Sequence, residues 1–326
     1  MAETKNDEFN GTSFNPMNLL LKDTLSELVS IAANPIGLSG LASGFPSIDK
    51  ITGGWQKGDL IIIAARPGMG KTAFIFSMIK NMAIGENIPI GFFSLELTNR
   101  QIVNRFIMNV CEISSEKLRN GQLIPYEWEQ LDTRVKKLYE APIYIDSTYT
   151  MSVQTLCDKA REMVLEKGVQ AIFVDYIQLL TVVDKYTDNR YNEVNYISRM
   201  LKALAKELEI PVFAVSQMNR GIENRIGAEG KRPQLIDLRD SGTLCDDADL
   251  VCFIHRPEYY HIYVDERGND LTGLAEIIIA KHRNGVTTNT NLRFKGEFCL
   301  FSNIEDNYSS KNSSISDYNS NNPIPF

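Results

Sequence analysis

A chain of 326 residues, 43% hydrophobic and 23% charged, has enough sequence for one large α/β domain with extensions. Its 34 basic and 41 acidic residues leave a net charge of −7, which excludes a protein that coats nucleic acid with its whole surface, so any nucleic-acid site must be local. The five cysteines (Cys111, Cys157, Cys245, Cys252, Cys299) are scattered, odd in number and lack paired metal-type spacing. They read as reduced thiols of a cytoplasmic protein. His255, His261 and His282 form no cluster, no apolar run is long enough for a membrane span, and the N-terminus lacks the charged-then-apolar layout of a signal peptide.

The first 17 residues are polar. Met17 to Ala33 then carries leucines at helical spacing, and Asn34-Pro35-Ile36-Gly37 ends that amphipathic helix. It either folds back on its own domain or acts as a linker that docks on a neighbouring subunit. A glycine-dense segment, Gly40 to Asp59, leads into LIIIAARPGMGKTAFIFSMIKNM, Leu60 to Met82. Here an apolar strand breaks at a glycine-rich loop and resumes as a helix, so successive backbone N–H groups and the first helical turn face one concavity suited to a polyphosphate. The loop residues are Ala65, Arg66, Pro67, Gly68, Met69 and Gly70, with Lys71 to reach the β- and γ-phosphates and Thr72 to place its hydroxyl on Mg²⁺. ATP and Mg²⁺ are the expected ligands. The motif departs from its usual form at Ala65, which stands where the first Gly belongs.

Ile88 to Leu95 is a buried strand that delivers Glu96 to the carboxyl edge of a parallel sheet, where ligands collect. Glu96 is there either a general base toward a water on the γ-phosphate or a solvated loop acid. Two amphipathic helices follow, Arg100 to Cys111 and Tyr126 to Tyr139, then a short strand, Pro142 to Ser147, and a helix, Val153 to Lys167. The apolar run Val169 to Leu180 reads as a strand carrying Asp175, a lone acid that fits a carboxylate holding Mg²⁺ opposite Thr72. After a polar loop come a helix, Glu193 to Leu208, and the strand Pro211 to Gln217. Gln217 ends its strand much as Glu96 and Asp175 close theirs, and a common register would gather the three, with an amide placed to sense the γ-phosphate.

The loop Met218 to Leu238 is long and polar, and Arg239-Asp240-Ser241-Gly242 opens a short helix. In the strand Leu274 to Gly285, Lys281 and Arg283 share one face and His282 takes the other, while Asn284-Gly285 signals a hairpin turn. Arg283 at that tip should point away from its own sheet toward another molecule. Ser302 to Phe326 is rich in Ser and Asn and is expected to be disordered. Its Pro323-Ile324-Pro325-Phe326 end is similar to the tip of bacterial single-stranded-DNA-binding proteins.

The segments AARPGMGKTAF, FFSLEL, FVDYIQLL, ISRMLKALAKEL, VSQMNR, RPQLIDLRDSGTLCDDADLV and IIIAKHRNG, in this order, resemble the C-terminal RecA-like ATPase domain of DnaB-type replicative DNA helicases over about Gly40 to Ser302. The resemblance implies an α/β, RecA-like P-loop ATPase. Its mostly parallel central sheet is flanked by helices, with a C-terminal antiparallel hairpin and an N-terminal linker helix. The corresponding divisions are residues 1–36, 37–303 and 304–326. It implies that Lys71 and Thr72 bind nucleotide and Mg²⁺, that Glu96 is the catalytic glutamate, Asp175 the second Mg²⁺ residue and Gln217 the coupling residue. Arg283 becomes an arginine finger acting with Lys281 on a neighbouring subunit's ATP, and Arg239, Asp240 and Gly242 lie on a loop that grips single-stranded DNA. The implied assembly is a homohexameric ring that unwinds duplex DNA 5′ to 3′ during replication, served by a helicase loader or other replisome proteins. By the same resemblance, full-length relatives carry an N-terminal collar domain, and of their N-terminal portion only the linker helix is expected in this sequence. The other class of function compatible with the motifs is a RecA-like DNA-dependent ATPase working as a switch or filament without unwinding.

Overall fold

The computed structural model describes residues 16–33, 37–182 and 190–304. In chain order the elements are α1 (Met17–Ala33), α2 (Pro46–Thr52), β1 (Leu60–Ala65), α3 (Lys71–Lys80), β2 (Ile90–Ser94), α4 (Asn99–Cys111), α5 (Ser115–Asn120), α6 (Pro125–Glu140), β3 (Ile143–Asp146), α7 (Val153–Lys167) and β4 (Ala171–Asp175). They continue with α8 (Arg190–Leu208), β5 (Val212–Gln217), α9 (Gly227–Gly230), α10 (Gly242–Asp247), β6 (Leu250–His255), β7 (Leu274–His282), β8 (Thr288–Lys295) and β9 (Leu300–Ser302).

The strands form one sheet in the order β3-β2-β4-β5-β1-β6-β7-β8-β9. From β3 to β6 every neighbouring pair is parallel, and from β6 to β9 every pair is antiparallel. Parallel strands need helices on both faces, and such strands are apolar throughout. Accordingly β1, β2, β4 and β6 are buried at every position. One face packs Phe74, Phe76, Ile79 and Phe92 with Phe173 and Phe213, which stack at 4.2 Å. The other packs Ile62, Val174, Leu201, Leu204 and Phe253 under α7, α8 and α10. The sheet therefore holds its loops rigidly at two opposite edges, the carboxyl edge of β1, β2, β4 and β5, and the amino edge where β1 and β6 begin.

Several elements differ from their sequence-based bounds. The strand predicted over Val169 to Leu180 stops at Asp175, and Ile177–Leu179 forms a 3₁₀ turn instead. Apolar content alone cannot separate a strand from a buried turn, and here Gln178 leaves the strand direction to donate to Ser216 Oγ at 2.8 Å. The loop predicted over Met218 to Leu238 contains 3₁₀ turns at Arg220–Asn224 and from Leu235, with α9 between them. Ser302 belongs to β9, paired with Arg293, and residues 305–326, the Pro323–Phe326 tip included, lie outside the described residues. In α1, Leu19, Leu20, Leu21, Leu25, Leu28 and Val29 are all exposed, so these side chains are not covered by the domain as a helix folded back would require.

Candidate functional site

The loop between β1 and α3 is shaped by two glycines with positive φ, Gly68 at 80° and Gly70 at 97°. A Cβ at Gly68 would lie 3.0 Å from the Tyr259 ring, and one at Gly70 would lie 3.2 Å from Phe301 and 3.4 Å from Phe294. Backbone conformation and close approach both demand glycine here. Ala65 needs neither. It is the last residue of β1, fully buried and in register with Gln217, so an extended strand end carries the methyl without strain. The Gly70 carbonyl accepts the Phe74 N–H at 2.9 Å as the first bond of α3.

Lys71 extends across this loop and donates to Ala65 O at 2.9 Å and Arg66 O at 3.2 Å. Burial depresses its pKa to about 8, against the upward pull of Asp175 and Glu96. Arg66 is held away from the concavity. It is buried, its Nε bonds Glu223 Oε1 at 2.8 Å, and its Nη1 bonds Met218 O at 2.9 Å. Pro67 is exposed and Met69 buried beneath the loop.

Ser94 at the end of β2 and Asp175 at the end of β4 are register partners, and Leu95 N donates to Asp175 O at 2.8 Å. Asp175 is thereby brought to the phosphate loop, where the Thr72 hydroxyl pulls its pKa down. It is 2% exposed, and burial raises its pKa to about 6, assisted by Glu96 and opposed by Thr72, Lys71 and Arg105. Its Oδ2 has no hydrogen-bond partner. An orphaned buried carboxylate oxygen beside a hydroxyl is what a hard cation would need from the protein, since Mg²⁺ takes one or two such oxygens and completes its shell with water and phosphate. Glu96 is exposed and acts electrostatically on both Lys71 and Asp175. Gln217, also exposed, acts on the Tyr176 hydroxyl.

Lys71, Thr72, Glu96, Asp175 and Gln217 thus gather at the carboxyl edge. Lys281 and Arg283 do not join them. Asp249, joined to Arg283, donates its N–H to the carbonyl of the first residue of β1 and accepts that residue's N–H on its carboxylate, at the opposite edge of the sheet. Five residue steps along β1 separate that edge from the phosphate loop, about 17 Å at strand rise, which is beyond the reach of an arginine side chain. Arg283 also has intramolecular partners. Its Nη1 bonds Asp249 Oδ1 at 2.9 Å and its Nη2 bonds Asp246 O at 2.6 Å, so the freely projecting side chain drawn from the hairpin signal is corrected to a tethered, half-exposed one. Lys281 Nζ reaches Cys245 O and Asp246 O on the same side, whereas His282 lines a cleft with Gln56 and Lys202 on the other. The backbone of Arg239, Asp240 and Gly242 forms the turn up to Ser241 and the start of α10, and the side chains of Arg239 and Asp240 lie outside the described residues.

Sequence reasoning passed over Arg105, whose charge acts on Asp175 from α4, and Tyr176, which meets Gln217. It also missed Arg256, whose Nη1 bonds Gly68 O at 3.3 Å while its guanidinium stacks 4.0 Å from the Phe294 ring. Among the described residues no cluster of three or more acidic, His or Cys residues is suited to a metal, and no helix is long and apolar enough to cross a membrane.

The model of the DnaB-like helicase C terminal domain matches residues 40–303. The chain is 40% identical over 268 residues to the replicative DNA helicase DnaB of Geobacillus stearothermophilus, covering 82% of this chain and 57% of that protein. It is 36% identical over 296 residues to the replicative DNA helicase DnaC of Bacillus subtilis, covering 91% and 63%. It thus spans roughly three fifths of the length of these relatives. Among solved structures it is similar to the ATPase domain of G40P (TM-score 0.81, 32% identity, 90% of this chain and 100% of that one). It is also similar to a DnaB-like replicative helicase studied for its interactions with primase (TM-score 0.77, 32% identity, 90% and 68%). A chain matched across its whole sheet and both of its edges belongs to the DnaB-like helicase C-terminal domain family.

Proposed function

We propose that this chain is the ATPase module of a replicative DNA helicase: it hydrolyses ATP, assembles as a hexameric ring, and moves along single-stranded DNA to separate duplex. The observation that carries the reading is the convergence of Lys71, Thr72, Glu96, Asp175 and Gln217 on one sheet edge, in a chain of this family. The phosphate loop holds ATP through its backbone N–H groups, and Lys71 exchanges its two carbonyl acceptors for phosphate oxygens. Thr72 and Asp175 fit Mg²⁺, which when bound offsets the phosphate charge. Glu96 takes the proton of the attacking water as general base. Gln217 meets the γ-phosphate on one side and Tyr176 on the other, so phosphate loss is felt at the end of β4. Arg283 and Lys281 serve the nucleotide of a neighbouring subunit, because their own phosphate loop lies at the far edge of the sheet. Arg239, Asp240 and Gly242 meet the DNA backbone, and translocation runs 5′ to 3′.

The test is a forked-duplex unwinding assay alongside ATPase measured with and without oligo-dT. ATP-dependent strand separation with DNA-stimulated turnover supports the motor, and Arg239→Ala should lower the stimulated rate more than the basal rate. DNA-stimulated turnover with no unwinding by any assembled form would leave the switch or filament reading instead.

A further inference from the structure

Asp249 is among the most heavily committed side chains of the molecule, and all its partners lie at the edge of the sheet remote from the phosphate loop. Its Oδ2 accepts the Leu60 N–H at 2.8 Å and the Lys202 ammonium, and its Oδ1 accepts Arg283 Nη1 at 2.9 Å. The backbone is as tightly held. Asp249 N donates to Leu60 O at 3.0 Å, and Arg283 N donates to Asp249 O at 2.9 Å. Lys202 is itself fixed, donating to Gly58 O at 2.8 Å. The carboxylate is 5% exposed, so these directional bonds act where water competes little.

Such a carboxylate has one free orientation. With Oδ2 assigned to β1 and α8, Oδ1 faces the end of β7, and the guanidinium that meets it is aimed accordingly. A second anchor, Asp246 O at the end of α10, takes Nη2 at 2.6 Å. Two of the five guanidinium N–H groups are thereby used, and three remain for an anion arriving from outside. From this geometry we propose that Asp249 is a positioning residue: together with Lys202 it holds Arg283 in the attitude in which its remaining N–H groups meet the phosphates of a neighbouring copy's nucleotide. The proposal rests on the reading of Arg283 as acting between subunits. An arginine that must swing into place loses rate steeply with small displacements, whereas a preset one contributes without reorganising.

The experiment mixes subunits. Asp249→Asn keeps an acceptor for the Leu60 N–H but removes the charge that holds Arg283, and we expect kcat for ATP to fall about tenfold to a hundredfold with KM changed less than twofold. Lys202→Met, which leaves the carboxylate and its Leu60 bond in place but removes the ammonium from Oδ2, is the second arm, with a several-fold loss. Each variant is mixed with Lys71→Ala, which has an intact Arg283 and an inactive phosphate loop, and Arg283→Ala mixed with Lys71→Ala is the reference. Recovery in the Asp249→Asn and Lys202→Met mixtures comparable to the reference supports the proposal, because a subunit damaged in its own fold would not regain turnover from a neighbour. Addition of Asp249→Asn to Arg283→Ala should cost no further rate. If the reference mixture recovers but neither variant mixture does, or if neither variant loses rate, the positioning role is overturned while the shared site stands. If the reference mixture fails to recover, the shared site itself falls.

Discussion

Ser94 and Asp175 face one another across β2 and β4 at the last rungs of the parallel ladder. That pairing fixes how far apart the two acids of the site begin. Glu96 follows two residues after Ser94 and stays exposed, while Asp175 is buried on the neighbouring strand. One carboxylate is thus open to a water and the other is enclosed beside Thr72, a division suited to different tasks.

From this division, Glu96→Gln should bind ATP like the parent and hydrolyse it at least a hundredfold more slowly, about the lower end of what a positioned general base contributes. Lys71→Ala should weaken nucleotide binding as well, since the charge it removes meets the ligand before and during reaction. Fluorescent-nucleotide titration combined with phosphate release separates the two. Parent-like turnover by Glu96→Gln would mean that another group activates the water.

Asp175 makes the protein's stability depend on pH in a predictable direction. Burial raises its folded pKa from 3.8 to about 6, so its favourable contribution is complete below pH 4 and is lost as pH rises through 6. Above that, the enclosed charge costs about 3 kcal/mol, to order of magnitude. Asp175→Asn should therefore melt higher than the parent at pH 8 without nucleotide, and the gain should shrink toward pH 5. Mg²⁺ with ATP should raise the parent's melting temperature more than the variant's, reversing the order. Thermal melts at the two pH values decide it, and an equal gain at both would show that the charge is not the cause.

The residues around these acids divide by how much of their environment is local. The phosphate loop, Glu96, Asp175 and Gln217 were legible because each follows an apolar strand, and parallel strands bring their ends to one edge. Helix α7 was read at its observed bounds for a similar reason, with Ser152 accepting the Thr155 N–H at its start and Gly168 at its end. Arg105, Arg256 and Asp249 were not legible. A basic residue on a helix, or an acid before a strand, acquires meaning only when a distant segment arrives beside it, as Leu60, Lys202 and Arg283 do at Asp249. The strand ending at Asp175 was overextended because Tyr176 to Leu180 is as apolar as a strand yet is turned by contacts to β5.

The two loop glycines give a test that does not depend on chemistry. Gly70→Ala would force a methyl into a backbone at φ 97° and to within 3.2 Å of Phe301, in contact with core that supports α3. The backbone term alone is about 1–2 kcal/mol. We expect a lower melting temperature together with loss of ATP binding, whereas Ala65→Gly should leave binding within a fewfold, since that residue is an ordinary strand end. If Gly70→Ala bound ATP normally, the loop would have to be more adaptable than its packing against Phe294 and Phe301 implies.

The separation of Arg283 from its own phosphate loop leads to a prediction about concentration. If Arg283 completes a neighbour's site, turnover per subunit must fall when the assembly is diluted below its association range, whereas a self-contained site would keep its rate. Tethering to Asp249 and Asp246 sharpens this, because those bonds hold the guanidinium at the amino edge even in an isolated chain. Folding back to the loop, about 17 Å away, would require breaking both. An arginine arriving across an interface offsets charge on the transferring phosphoryl group, worth about three to five powers of ten in related enzymes. Arg283→Ala should therefore be nearly inactive at every concentration while binding ATP and melting close to the parent, since the buried Asp249 carboxylate keeps the Leu60 N–H and the Lys202 ammonium as partners. The parent's rate should rise with concentration in step with the mass measured by light scattering. A demonstrably monomeric sample that turned over ATP as fast as the assembled one, or an Arg283→Ala variant of full activity, would remove the neighbour from the mechanism.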